Sequence, residues 1–253
     1  MSDWGKGAKN NTIGYGQGAC DNTIGWGTSQ KDNNSWSGDT DISGCSGAAG
    51  LAQIDNLNSM SFDGINDLID LGTDVLFDST GSFSFSAWVN ITSYSPAYPG
   101  IFRIKTDQSK GFIMFLSETS PYQGVNIGSV SGFMKAKTVG NIGGDFIGTW
   151  KHVCVTFDGV NINNSSSFKI YVDGSSVDLT TTGAFSDSPN ANFLGNATTN
   201  SATYLNGKLD EVGIFNTALT ESEILSIYNA TAVVGGVNKT ADLSQLTTPP
   251  IAW

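Results

Sequence analysis

The stretch from Asp145 to Gly174 leaves little freedom in what this chain can fold into. It runs Asp145-Phe-Ile-Gly-Thr-Trp150-Lys-His-Val-Cys-Val-Thr-Phe-Asp-Gly159, crosses a polar bridge, and resumes as Phe168-Lys-Ile-Tyr-Val-Asp-Gly174. Val153, Val155 and Phe157 alternate with His152, Cys154 and Thr156, and alternation at period two marks a strand with one buried face. Asp158-Gly159 ends that strand with turn chemistry, since glycine takes positive φ at no steric cost. Phe168, Ile170 and Val172 alternate again before Asp173-Gly174 turns the chain. Two antiparallel strands joined by a Ser- and Asn-rich loop are predicted.

Similar short runs recur on both sides. Ser59–Gly64 and Leu68–Leu71 read as strands, and Phe83, Phe85, Ala87 and Val89 share one face of another, with Ser84, Ser86 and Trp88 on its other face. Ile101–Ile104, Phe112–Leu116, Val125–Gly128 and Phe133–Lys137 follow, separated by loops bearing Pro and Gly. Many short strands at this spacing predict an antiparallel sandwich and not βαβ units. One helix is expected: Thr220-Glu-Ser-Glu223 is a capping box, and Ile224, Leu225 and Tyr228 form the apolar side behind it. The organisation is then 1–48 as an arm, 49–58 as a connector, 59–229 as the sandwich and 230–253 as an extended tail. The final Pro-Pro-Ile-Ala-Trp253 reads either as an anchoring strand or as the entry to a further module.

The central hairpin resembles that of laminin-G-like domains, the concanavalin A-like jelly-roll lectins. Three other pieces agree in order: Met60-Ser-Phe-Asp-Gly64 with Asp67, Phe83-Ser-Phe-Ser-Ala-Trp-Val89, and Leu205-Asn-Gly-Lys-Leu-Asp-Glu-Val-Gly-Ile-Phe215 followed by Ala218-Leu-Thr-Glu-Ser-Glu-Ile224. The resemblance covers about Asn56 to Asn229. It implies an all-β, antiparallel jelly-roll sandwich with one short C-terminal helix. It also implies glycan binding, the usual work of this family, by aromatic faces and planar polar side chains. Tyr94, Tyr98 and Tyr122 in stiffened loops, with Gln123 and Asn126 nearby, are the candidates; the alternative is that these rings cover the core or a subunit interface. Relatives often carry calcium between the opening Asp-Gly turn and the Leu-Asp-Glu-Val strand, which here means Asp63 and Asp210, with Asp67 and Asp70 also in turns or strand ends. The alternative is that these carboxylates only bond turns and backbone.

Enzymatic turnover is not expected. Glucanases that share the fold carry Glu-x-Asp-x-x-Glu on one strand, and Glu118, Glu211, Glu221 and Glu223 make no such pattern. His152 is the only histidine, and it is read as a packing and hydrogen-bonding residue because no nucleophile motif accompanies it. Cys20, Cys45 and Cys154 have no metal spacing; Cys154 falls in a core strand, Cys20 and Cys45 could pair, and reduced thiols are the default.

Lys+Arg 12 against Asp+Glu 23 gives a net charge of −11, which repels nucleic acid. No apolar run is long enough for a membrane span, and Met1-Ser-Asp-Trp-Gly-Lys lacks a secretory h-region, so synthesis in a cytosol is expected. Residues 1–48 hold a repeat: Trp4-Gly-Lys-Gly7, Tyr15-Gly-Gln-Gly18 and Trp26-Gly-Thr-Ser29 recur every 11 residues, and Trp36 follows. Such units cannot build a core alone. They are either a flexible linker or an arm that orders on a partner, and the register of large aromatics favours the arm. The arm is similar to N-terminal segments of structural proteins in bacteriophages of Bacteroidetes-type hosts. That resemblance implies a virion location (head fibre, decoration or tail-fibre-associated subunit). Trp4, Tyr15, Trp26 and Trp36 would dock on other virion proteins, a homotrimer is expected, and host-surface glycans would be the target. The rival reading is a free carbohydrate-binding or adhesin module of a bacterium.

Overall fold

The computed structural model describes residues 51, 53–73, 81–95, 98–105, 111–118, 124–128, 134–138, 146–161, 164–181, 191–198, 203–230, 232–234 and 237–251. By its contacts the chain divides into Met1–Gly50 and Leu51–Trp253, and all described residues belong to the second unit.

The predicted hairpin is present. β9 (Lys151–Phe157) pairs antiparallel with β10 (Phe168–Val172), with Phe157 opposite Phe168 and Val153 opposite Val172. Asp173 and Gly174 follow at φ 50° and 74°, the left-handed pair that a two-residue hairpin turn needs, and β11 (Ser175–Val177) returns along β10. The Asp173 carboxylate fastens this corner to β9, accepting from the His152 amide at 3.0 Å and from Lys151 Nζ at 2.8 Å. On the other side of β9 lies β4 (Phe83–Ile91), then β14 (Asn206–Phe215), then β2 (Met60–Asp63), making a six-stranded antiparallel sheet in the order β11-β10-β9-β4-β14-β2.

A seven-stranded sheet faces it. Its order is β12 (Leu179–Thr181), β8 (Met134–Thr138), β7 (Gly124–Gly128), β6 (Gly111–Ser117), β5 (Gly100–Lys105), β13 (Phe193–Leu194), β3 (Ile69–Asp70). Between the sheets lies the core predicted from alternation. Phe83 meets Phe112 at 4.5 Å between ring centroids, and Phe85 meets Phe102 at 4.2 Å. Phe83, Phe85, Phe102 and Phe112 are all buried, each worth about 1.5–3 kcal/mol of removed apolar surface.

The middle strands of the six-stranded sheet, β4 and β9, are however buried on both faces. Behind the sheet Cys154, Tyr171 and Phe215 form a second apolar cluster with Leu219, Ile224 and Ile227, completed by Ala241, Leu243 and Leu246. The cover is α1 (Glu221–Asn229), which starts with the expected capping box: Glu223 N donates to Thr220 Oγ1 at 3.3 Å and Thr220 N donates to Glu223 Oε2 at 2.8 Å. The helix rotates slightly from the predicted face. Ile224 and Ile227, three apart, point at the sheet, so Leu225 turns outward and is 44% exposed. Connector and tail are also structural. β1 (Gln53–Asp55) pairs with β16 (Val237–Ala241), Gln53 opposite Ala241, and β15 (Ala232–Val234) completes a three-stranded ribbon. The Ile251 amide then donates to Ile214 O at 2.7 Å, so the tail as far as Ile251 anchors on β14.

β14 is held so closely that one position accepts no side chain. A Cβ on Gly207 would stand 2.3 Å from the backbone oxygen of Asn90 and 3.0 Å from Ile91 Cα on β4. Backbone in mid-sheet cannot give way. Gly207→Ala is expected to cost about 3 kcal/mol in a urea denaturation midpoint.

Candidate functional site

In the seven-stranded sheet Phe102 and Ile104, Phe112, Met114 and Leu116, and Val125 and Ile127 point into the core. The residues between them therefore form the opposite face. Register builds that face: Phe115 lies opposite Asn126, Arg103 opposite Ile113 on one side and Phe193 on the other. Tyr98 arrives from the preceding loop and meets the Phe115 ring edge-on at 5.9 Å. The Arg103 guanidinium carbon lies 5.6 Å from the centre of the Phe193 ring. Arg103 is 3% exposed, and burial pulls its pKa down. Three half-buried rings, Tyr98, Phe115 and Phe193, thus stand on a floor of buried polar groups. Phe115 and Phe193 are two strands apart, about 10 Å laterally, which is wider than one sugar ring.

Only part of the expected glycan set is here. Tyr98 is half-buried on this face, with its ring against Phe115. Tyr94 is 7% exposed and belongs to the core, so a ligand cannot reach it. Asn126 lies on the right face but is fully buried, its Nδ2 donating to Gly124 O at 2.9 Å; it supports the floor and touches no ligand. Tyr122 lies outside the described residues, as do Trp4, Tyr15, Trp26 and Trp36 of the arm and Cys20 and Cys45. Phe115 and Phe193 escaped sequence reasoning because alternation assigns core residues but gives no rank to aromatics on the other face.

The carboxylates expected to share calcium are separated. Asp63 lies opposite Asn206 on β14, and Asp210 is four residues further along that strand, about 13 Å away. One ion with ligands at about 2.3–2.6 Å cannot bridge them. Each is occupied locally. Asp63 Oδ1 accepts from Ile65 N at 2.8 Å and Asn66 N at 3.2 Å, and these turn bonds draw its pKa down. Asp67 Oδ2 accepts from Asp63 N at 2.9 Å, and Asp70 Oδ1 accepts from Gly72 N at 2.8 Å. Asp210 Oδ2 accepts from Asn56 Nδ2 at 3.0 Å and its Oδ1 from Glu211 N at 3.0 Å, while burial pushes its pKa up. Asp63, Asp67 and Asp70 bond their own turns, whereas Asp210 also accepts from the distant Asn56 side chain. Among the described residues no three His, Cys, Asp or Glu side chains gather as a metal site.

His152 and Glu211 are also held well off their usual range. Ser86 Oγ and His152 Nε2 are 2.8 Å apart, a nucleophile–base distance, yet both side chains are 0% exposed. The imidazole is sealed under Trp88 at 5.4 Å and Tyr228 at 6.0 Å, and burial pushes its pKa down to about 4 against a pull upward from Asp173. The pair has no room for a substrate, and it packs as expected. Glu211 was not singled out from the sequence. It sits at φ 49° in a bulge where Asp210 pairs with Trp88 but Gly213, not Val212, pairs with Ser86. Burial first, then the charge of Asp210, push its carboxyl up to about 7, and a hydrogen bond from Thr240 opposes the shift.

The two groups pull stability in opposite directions. His152 is depressed from 6.5 to about 4. The unfolded chain therefore binds the extra proton first, and stability is lost as pH falls from 6.5 to 4, by about 3 kcal/mol. Glu211 is raised from 4.5 to about 7. Its contribution is present below 4.5 and lost as pH rises through 7, by about 1 kcal/mol after allowance for its exposure. Urea midpoints from pH 4 to 8 are expected to show the penalty of His152→Gln shrinking by about 3 kcal/mol toward pH 4. Glu211→Gln is expected to gain on the parent by about 1 kcal/mol toward pH 8.

Residues 63–225 match Laminin_G_3, the Concanavalin A-like lectin/glucanases superfamily. No curated protein matches the chain. Among solved structures, a native heptameric SAP-like pentraxin from Limulus polyphemus is 15% identical, covering 67% of this chain and 81% of its own, with a TM-score of 0.45. Domain 4 of an extracellular arabinanase from Geobacillus stearothermophilus, solved with arabinotriose, is 21% identical over 69% of this chain and 79% of its own, at TM-score 0.48. The CBM40 of the Ruminococcus gnavus IT-sialidase is 13% identical over 70% and 98%, at TM-score 0.42. The family match spans more than half of the sequence: the chain belongs to the Concanavalin A-like lectin/glucanases superfamily.

Proposed function

We propose that this protein is a non-catalytic virion component that binds an oligosaccharide across the outer face of its seven-stranded sheet. The observation that carries the glycan reading is the aromatic set on that face: Tyr98 edge-on to Phe115, and Phe193 against buried Arg103. Rings fixed from below lose little freedom when a sugar stacks on them, which is why a rigid aromatic floor favours binding. With the two-residue offset along the strands the two platforms stand about 12 Å apart, a spacing that suits sugars separated by one intervening unit of a chain. The virion reading is supported by the arm, whose Trp4, Tyr15 and Trp26 recur at fixed spacing between glycines. Each aromatic would dock on a neighbouring virion protein or on another copy, and a trimer would carry three sandwiches outward to host-surface glycans.

A glycan array with the full chain tests the binding half. Phe115→Ala and Phe193→Ala are each expected to lower affinity for the best glycan about tenfold with the fold intact by circular dichroism. A silent array would sink it. Light scattering tests the assembly half. The full chain is expected to be an oligomer, and joint replacement of Trp4, Tyr15, Trp26 and Trp36 by Ala is expected to give monomers. Monomers in both cases, with glycan binding retained, would favour a free carbohydrate-binding module.

A further inference from the structure

β2 pairs with β14 only over Asn206–Leu209; β14 then bulges at Glu211 and runs on to Phe215. Beside that second half a cavity of about 450 Å³ opens. Among the described residues its walls come from both sheets and the ribbon: Met60 of β2, Ile69 of β3 with Leu71 just beyond it, Leu194 of β13, Ile214 of β14 and Ile54 of β1. The volume lies within the range of small-molecule sites, which are apolar with a few placed polar groups. Glu211 also lines it, half-buried, with the Asp210 carboxylate next in the chain.

The charge of this rim selects the ligand class. A fatty acid would bring a third carboxylate to Asp210 and Glu211 on a chain of net charge −11. Above pH 7, where Glu211 is ionised, a neutral hydrocarbon would bury its charge further with only the Thr240 hydrogen bond to compensate it. An organic ammonium compensates the Glu211 carboxylate that lines the cavity, while its body replaces water on the apolar walls. We propose that this cavity binds a small apolar amine, its ammonium on Glu211 and its hydrocarbon against Met60, Ile69, Leu194 and Ile214. The site lies apart from the aromatic sheet face and is independent of glycan binding there.

Calorimetric titration of the full chain at pH 8, where Glu211 is ionised and octylamine is still an ammonium, with octylamine, octanol and octanoate tests this. Octylamine is expected to bind at least about tenfold tighter than octanol, with octanoate weakest. Glu211→Gln is expected to cost octylamine about tenfold and to leave octanol within about twofold. Leu71→Trp, which fills the cavity from a half-buried position, is expected to remove binding of both; Leu71→Phe replaces it if circular dichroism shows the tryptophan variant unfolded. Octanol as tight as octylamine, an unchanged affinity in Glu211→Gln, binding that survives a filled cavity, or no heat from any of the three compounds would each overturn the proposal.

Discussion

The domain depends on β4 and β9 being buried on both faces at once. Their inner faces carry Phe83, Phe85, Val153, Val155 and Phe157 into the sandwich core, while Cys154 on the outer face of β9 joins the cluster under α1. A sheet covered twice cannot keep polar outward residues in water, so each one needs an internal partner. Ser84 Oγ donates to Thr217 O at 2.7 Å and accepts from Leu219 N at 2.8 Å, which ties the approach to α1 onto β4. Ser86 bonds the His152 ring, and Trp88 stacks on Tyr228 of the helix at 5.7 Å. The serines on the face of β4 opposite its phenylalanines are the fasteners of the second layer.

That second layer also explains why connector and tail cannot be loose. Ala241, Leu243 and Leu246 supply its far side, and β16 reaches it only by pairing with β1, the strand just ahead of the sandwich. Both ends of the domain therefore meet at the edge where β14 leaves β2. The bulge at Glu211 marks the change of partner. An extra residue in β14 turns the strand, and Glu211 takes a left-handed conformation that a non-glycine residue adopts only when its surroundings compel it. Strain, a displaced carboxyl pKa and the cavity stand together where β14 shifts register on β4 and runs beyond the end of its pairing with β2.

Most of the fold was legible because period-two alternation is a local signal. The core sides of β4, β9 and β10, the Asp173-Gly174 turn and the Thr220–Glu223 cap each rest on residues adjacent in sequence, and each is found where expected. The second core was not legible. Cys154 and Tyr171 occupy positions that alternation assigns to solvent, and only the return of α1 over them turns those positions inward. The ribbon was hidden for the same reason: Gln53 and Ala241 are far apart in the chain, and neither segment shows a strand pattern strong enough to stand alone.

Site residues were less legible than the fold, for a reason that lies in burial. Residue type said that tyrosines and an asparagine near loops suit a sugar; it could not say that Tyr94 turns into the core or that the Asn126 amide is spent on Gly124. The rings that do line the face, Phe115 and Phe193, are held by neighbours from three other strands. Asp63 and Asp210 fail as a pair by the same logic. Their motifs are neighbours in the sheet, but register sets them four residues apart along β14, and a carboxylate pair acts on one ion only when register brings both to it. What a jelly roll binds is therefore decided less by which motifs it carries than by which strand positions its outer layers leave uncovered. Among the described residues the outer face of the seven-stranded sheet leaves Tyr98, Phe115 and Phe193 half-exposed above buried Arg103, Ile113 and Asn126, and the edge beside β14 leaves an acid-rimmed apolar cavity.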